Sequence, residues 1–462
     1  MTFLDKKTSK SIPITPVTEK DFPDWMKKQD KKLQVWLKTA GFRGLDRTFL
    51  RLPDEKGNVA RVIFGVGKNK SLYTYACLPE KLADNPDGYY IDTPLTKERA
   101  NEVAFGWAMG RYDFNRYKTG KKDSRAKLVW PAGADKAAVK AAVEATCLVR
   151  DLINMPSNDL GPAEIAAATA KLAKAAKNAS VRTIVGKDLL KKNYPTIFAV
   201  GKGSAREPRL IDFRWGKPSH PRVTLVGKGV AFDTGGLNIK DGNNMSLMKK
   251  DMGGAAHVLG LAQMIIAAKL PVRLRVLIPA VENSIGSRSF RPSDVIKTRK
   301  GITVEIGDTD AEGRLVLCDA LAEASDEKPD LLIDFATLTG AARVALGPDL
   351  PVLFCNDKKT AQALLDAGVN VKDPLWELPL WQPYNDMLES EVADTNNVGG
   401  KFAGAITAAL YLEKFVGENI PWVHIDTYGW RPHARPGRPE GGEAYGMRAV
   451  FTLIKDRFGK RK

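Results

Sequence analysis

The sequence predicts an α/β fold in two domains. Three observations carry this. Short strand-like runs alternate with helical patterns along the chain. Several of the later runs are apolar on both faces, as expected of a central sheet covered by helices. The 462 residues exceed what one ordinary core holds.

In the first third, Arg61–Val66 and Leu72–Leu78 read as strands, and Lys97–Arg111 and Lys136–Leu152 as helices. Pro131-Ala132-Gly133 breaks the pattern, and the boundary is placed near residue 145, giving domains 1–145 and 146–462. The second domain opens with an alanine-rich helix, Pro162–Lys177. Strands follow at Leu210–Arg214, Arg222–Val226, Val272–Val281, Leu331–Phe335 and Trp422–Ile425. Helices at Gly254–Lys269, Lys358–Ala367, Phe402–Phe415 and Met447–Arg457 intervene. Arg431–Gly442, rich in Pro, Gly and Arg, reads as a surface loop.

Composition narrows the class. Hydrophobic residues are 44% and charged residues 27%, ordinary for a soluble globular chain. The longest apolar stretch, Leu259–Leu270, is broken by Gln263 and Lys269, short of the roughly 18 residues a membrane span needs. Three lysines in Met1–Lys10, with no apolar run behind them, argue against a secretory signal. Cys77, Cys147, Cys318 and Cys355 have no metal or redox spacing and read as buried thiols of a reducing compartment, so a cytoplasmic location is expected. Residues 1–150 carry 29 Lys+Arg against 18 Asp+Glu. That excess opens a secondary reading, a nucleic-acid-binding role of the basic N-terminal domain. The plainer reading is a solvated basic surface, since the lysines fall in scattered pairs without a nucleic-acid motif.

Two segments carry the chemistry. The first is Val226-Gly227-Lys228-Gly229-Val230-Ala231-Phe232-Asp233-Thr234-Gly235-Gly236, continuing to Lys240 and Lys249-Lys250-Asp251-Met252-Gly253-Gly254. The second is Gly307-Asp308-Thr309-Asp310-Ala311-Glu312-Gly313-Arg314-Leu315. Both follow strand-like runs, where open α/β sheets place their sites. Read as extended, the second segment puts Asp308, Asp310 and Glu312 on one face. The apolar Leu315-Val316-Leu317 behind it carries those carboxylates toward the core. Buried carboxylates in a group repel unless protonated or bridged by cations, and hard oxygen donors suit Mg, Mn or Zn. The four histidines (His220, His257, His424, His433) make no HExxH spacing, there is no Gly-x-Ser-x-Gly elbow, and Gly227-Lys228-Gly229 is not a Walker loop. His257 is expected to pack within a helix.

Together the pattern VGKG-x-x-FD-T-GG, a lysine, DMGGAA and TDAEGRL resembles the leucyl (cytosol) aminopeptidase family. From Lys228 the offsets are 5 to Asp233, 12 to Lys240, 23 to Asp251, 82 to Asp310 and 84 to Glu312. The resemblance covers roughly residues 145–462, including Asp151–Asn154, Ala336–Gly340 and Ala393–Gly400.

The resemblance implies a catalytic domain with a twisted mixed sheet flanked by helices, and a metal-dependent aminopeptidase acting on short peptides with a free N-terminus. It implies that Lys228, Asp233, Asp251, Asp310 and Glu312 hold two divalent ions, Zn or Mn. Lys240 would polarise the scissile carbonyl, and Arg314 would hold a bicarbonate serving as general base. Met248, Thr337 and Ala444 are the candidates for the first side-chain pocket, favouring Leu or Met. A homohexamer is implied as well. Asp308 stands where the family usually has Asn, and Asp241 where it often has Pro, both adding negative charge beside the site.

Overall fold

The computed structural model describes residues 2–68, 71–120 and 124–459. The chain forms two compact units: Met1–Val143 with His433–Glu440, and Glu144–Pro432 with Gly441–Lys462.

The first unit is built on strands β1 (Phe3–Leu4), β2 (Ile12–Thr18), β3 (Phe49–Pro53), β4 (Val59–Gly67), β5 (Tyr89–Ile91) and β6 (Leu128–Val129). They lie in the order β1-β6-β5-β2-β4-β3, all parallel except β3 against β4. The expected strand at Leu72–Leu78 is instead a 3₁₀ turn, Thr74–Cys77, running into the short helix Leu78–Lys81. A short run apolar on every side fits a buried helical turn as well as a strand. Gly106 and Gly110 of the helix Lys97–Gly110 decide between them. A Cβ at either glycine would lie 2.6 Å from the Leu72 carbonyl or 2.1 Å from that of Ala76, so the two segments pack backbone to backbone. The Pro/Gly/Arg-rich segment is more than a surface loop. Its His433–Glu440 stretch belongs to the first unit, where Gly437 (φ +71°) sits against Ala76 and Met109.

The second unit holds β7 (Ala179–Val185), β8 (Arg209–Trp215), β9 (Arg222–Gly227), β10 (Gly229–Asp233), β11 (Arg273–Asn283), β12 (Val295–Lys297), β13 (Thr303–Glu305), β14 (Leu331–Ala336), β15 (Val352–Cys355), β16 (Trp376–Glu377), β17 (Thr395–Asn396), β18 (Trp422–Asp426), β19 (Trp430–Arg431) and β20 (Gly441–Gly442). The main sheet runs β16-β15-β18-β14-β9-β11-β8-β7, with β10 also on β11. Its centre, β18-β14-β9-β11, is parallel, while β8 and β15 join antiparallel, so the sheet is mixed as expected. Successive strand residues face opposite sides. On β14, Phe335 stacks on His257 of the helix Gly253–Ala267, with ring centroids 5.2 Å apart. Leu332 and Ala336, of the opposite parity, pack with Leu315, Leu317 and Leu321 of the helix Glu312–Asp326. Helices therefore cover both faces. His257 is buried as expected, its Nδ1 2.7 Å from the Gly253 carbonyl and its Nε2 accepting from Tyr445 N.

No helix among the described residues is long and apolar enough to cross a membrane. All four cysteines are free, and burial pushes each thiol up, Cys77, Cys147 and Cys355 to about 11.

Candidate active site

Four parallel strands end at one place. Lys228 follows β9, Asp233 closes β10, Asn283 closes β11, and Thr337 follows β14. Asp251 lies in the 3₁₀ turn Met248–Met252, and Glu312 is the first residue of its helix.

The backbone must approach closely here. Gly235 and Gly236 take φ values of +87° and +65°, which turn the chain from Asp233 toward Lys240. A Cβ on Gly313 would fall 2.6 Å from Lys228 Nζ, so that glycine admits the lysine to Glu312.

Carboxylate oxygens of Asp233, Asp310 and Glu312 all lie within 4.8 Å of one another. Lys228 Nζ stands 2.7 Å from Asp251 Oδ2 and 2.9 Å from Glu312 Oε1. Lys240 Nζ is 3.0 Å from Asp233 Oδ2 and also pairs with Asp310. Burial works to lower both lysines, but Asp251, Glu312 and Asp233 hold Lys228 above the usual lysine range, and Asp233, Glu312 and Asp310 do the same for Lys240. Burial, reinforced by Asp233, pushes Asp310 up to about 7 against the pull of Lys240, and drives Glu312 well above the carboxylate range. Four carboxylates thus face two ammonium groups, and Glu312 Oε2 is buried without a hydrogen-bond partner. Hard oxygens plus an amine fit a divalent ion.

Several residues hold these groups that sequence reasoning did not single out. Asn283 Nδ2 donates to Asp233 Oδ1 at 2.8 Å and to the Thr309 carbonyl at 3.0 Å. Thr309 is clasped by Asn238, whose backbone N–H donates to the hydroxyl. Asn397 accepts from the amides of Gly307 and Asp308 and donates to the Asp308 carbonyl. Single buried Asn and Thr residues carry no spacing signal; only the Ala393–Gly400 stretch hinted at Asn397.

The extended reading of Asp308–Glu312 is corrected. Asp308 Oδ1 accepts from the Asp310 amide at 2.8 Å, a turn forms over Thr309-Asp310, and Glu312 already opens a helix. The turn, not alternation, brings Asp310 and Glu312 together. Asp241 caps the short helix Gly242–Met245 through the Asn244 amide.

A cavity of about 400 Å³ opens over the cluster, lined by Lys228, Asp233, Lys240, Asp251, Asp308 and Asp310, with Met248 and Thr337 on its wall. Thr337 also donates to Asp251 Oδ1 at 2.8 Å. Ala444 is buried but does not line the cavity; its amide is tied to Glu443, whose carboxylate pairs with Arg150. Arg314 is buried too, its Nη1 donating to the Asn397 carbonyl at 2.5 Å while its Nε has no partner.

Against this geometry, the profile described as "Cytosol aminopeptidase family, catalytic domain" matches residues 147–451, and "M17 aminopeptidase, N-terminal domain" matches residues 12–131. The chain belongs to the cytosol aminopeptidase family. It is accordingly a metal-dependent aminopeptidase, a hydrolase acting on peptide bonds. A probable cytosol aminopeptidase of Roseiflexus castenholzii is 40% identical over 80% of each chain. A crystal structure of a cytosol aminopeptidase from Coxiella burnetii is 48% identical and covers 99% of both chains with a TM-score of 0.94. The bottromycin maturation enzyme BotP in complex with Mn is 30% identical, with a TM-score of 0.86 over 97% of this chain and 99% of that one.

Proposed function

We propose that this cytosol aminopeptidase releases apolar N-terminal residues, Leu or Met above all, from short unblocked peptides, with two divalent ions at the carboxylate–lysine cluster. The single observation that carries the reading is the convergence of Asp233, Asp310 and Glu312 oxygens within 4.8 Å beside Lys228 and Asp251. Lys228, Asp233, Asp251, Asp310 and Glu312 are the proposed ligands, and Zn or Mn the proposed metals. Such ions supply Lewis acidity, an activated water and a ligand site for the free amine.

This chain's own residues do the rest. Lys240 faces the cavity as an ammonium and donates to the carbonyl oxygen as negative charge develops there. Asn283 and Thr337 hold Asp233 and Asp251 in place. Arg314 is the proposed holder of the bicarbonate base; it is buried, does not line the cavity, and its Nε has no hydrogen-bond partner. Met248 and Thr337 line the cavity and are the proposed contacts of the first side chain.

The same reading includes a homohexamer in the cytoplasm. Support for assembly is the set of exposed apolar residues on the second unit, Val344, Trp376, Trp381 and Phe402 among them. Light scattering at micromolar concentration tests it. A nucleic-acid role rests on the basic first 150 residues alone, and salt-dependent DNA retention tests that.

The test of the reaction is N-acetylation of a good peptide substrate. Cleavage is expected to stop, because an amide nitrogen no longer ligates a metal; equal rates for free and acetylated peptide would exclude an aminopeptidase.

A further inference from the structure

Lys250, Arg343 and Tyr428 also line the active-site cavity, and nothing in the hydrolytic machinery uses them. Lys250 stands in the 3₁₀ turn Met248–Met252, two residues on from Met248, and is only 5% exposed. Arg343 comes from the short helix Gly340–Leu346 that follows β14, and Tyr428 from the segment after β18. Lys250 Nζ lies 5.0 Å from the centroid of the Tyr428 ring, and Arg343 Cζ lies 5.0 Å from the same centroid. One aromatic ring therefore holds both cations in the same part of the cavity.

The cations of the cavity differ in what answers them. Lys228 and Lys240 are paired with carboxylates of the cluster. Among the described residues, the Lys250 ammonium and the Arg343 guanidinium form neither an ion pair nor a hydrogen bond. The carboxylates that border the opening are engaged elsewhere. Asp251, although next in the chain to Lys250, turns to Lys228 and Thr337, and Asp233 and Asp310 turn to Lys240. Asp241 accepts from the Asn244 amide and Asp308 from the Asp310 amide. Burying an ammonium without a counter-ion is costly, and a guanidinium beside it adds repulsion. A carboxylate arriving from the substrate would answer both, the guanidinium as a two-pronged fork and the ammonium as a point charge.

We propose that Lys250 and Arg343 bind a carboxylate of the peptide, so that the enzyme favours substrates carrying one close to the scissile bond. This preference rests on the aminopeptidase reading and stands beside the apolar first residue proposed there. A short peptide offers the group from two sources, the C-terminal carboxylate of a dipeptide and the side chain of an acidic first residue.

Steady-state kinetics of the metal-loaded enzyme on two matched pairs of peptides test it. Leucyl-glycine against leucyl-glycinamide reads the C-terminal carboxylate, and glutamyl-glycinamide against glutaminyl-glycinamide reads the side chain. In at least one pair the carboxylate member should have a kcat/KM about tenfold higher or more, the scale of a charged hydrogen bond. The pair that shows it identifies the source. Lys250→Met and Arg343→Gln should each bring this ratio towards one, a comparison made within one variant and so independent of how much of it folds. Arg343 is half-buried, which keeps Arg343→Gln informative even where the buried Lys250→Met fails to fold. A ratio near one in both pairs of the wild type, or a ratio that survives both substitutions, would overturn the proposal. Failure to cleave any of the four peptides would instead sink the aminopeptidase reading, and this preference with it.

Discussion

Lys228 Nζ rests 2.7 Å from Asp251 Oδ2, an ammonium standing among the groups proposed to hold metal. As a ligand the amine must be neutral, and here the carboxylates favour its charged form. Metal binding should therefore release protons. Titrating metal-free protein with Zn or Mn in weakly buffered solution at pH 7 should register at least one proton released per chain as the ions bind. Metal uptake without proton release would remove Lys228 from the ligand set.

Lys240→Ala should lower kcat by about a hundredfold or more, the scale of losing one oxyanion donor, while metal content stays intact. Metal analysis beside kinetics separates the roles. A loss of metal would make Lys240 a ligand instead.

Asn283 is 1% exposed and ties Asp233 to the Thr309 turn. Asn283→Ala leaves those acceptors short of a donor and should cost about 1–3 kcal/mol of stability in chemical unfolding. Metal affinity should fall with it, because Asp233 loses its orientation.

Asp308→Asn is expected to leave the pH profile of kcat/KM unchanged. The Asn oxygen accepts the same Asp310 amide bond that Asp308 makes, so the turn survives. A limb displaced toward lower pH would give Asp308 an electrostatic part in the reaction beyond its cap.

Alkylation of the native protein at pH 8 should be slow. With Cys77, Cys147 and Cys355 pushed up to about 11, roughly one thiol in a thousand is ionised there. The rate should climb about tenfold per pH unit toward that value. Rapid labelling at pH 7 would contradict the burial that raises these thiols.

The catalytic segments were legible because their chemistry needs particular residue types at fixed spacing. Lys228, Asp233, Lys240, Asp251, Asp310 and Glu312, the positions marked by the resemblance, lie together in the structure, and their roles belong to the proposed function. The central strands were legible from apolar runs, β9 and β14 almost to the residue. Leu72–Leu78 was misread because what selects its helical turn, the carbonyl contact with Gly106 and Gly110, lies more than thirty residues away. Asp308–Glu312 was misread because a side chain capping its own turn overrides extended alternation. Asn283 and Asn397 were invisible for a plainer reason: a lone buried amide has no pattern, and its partners are fixed only by the fold.

The most direct measurement is turnover of leucine amide by fully metal-stripped protein, before and after adding back Mn or Zn, with Asp310→Asn alongside. The stripped wild type should be inactive and should regain activity at two equivalents of metal, while Asp310→Asn should regain none. Undiminished turnover by protein with no detectable metal would contradict the account.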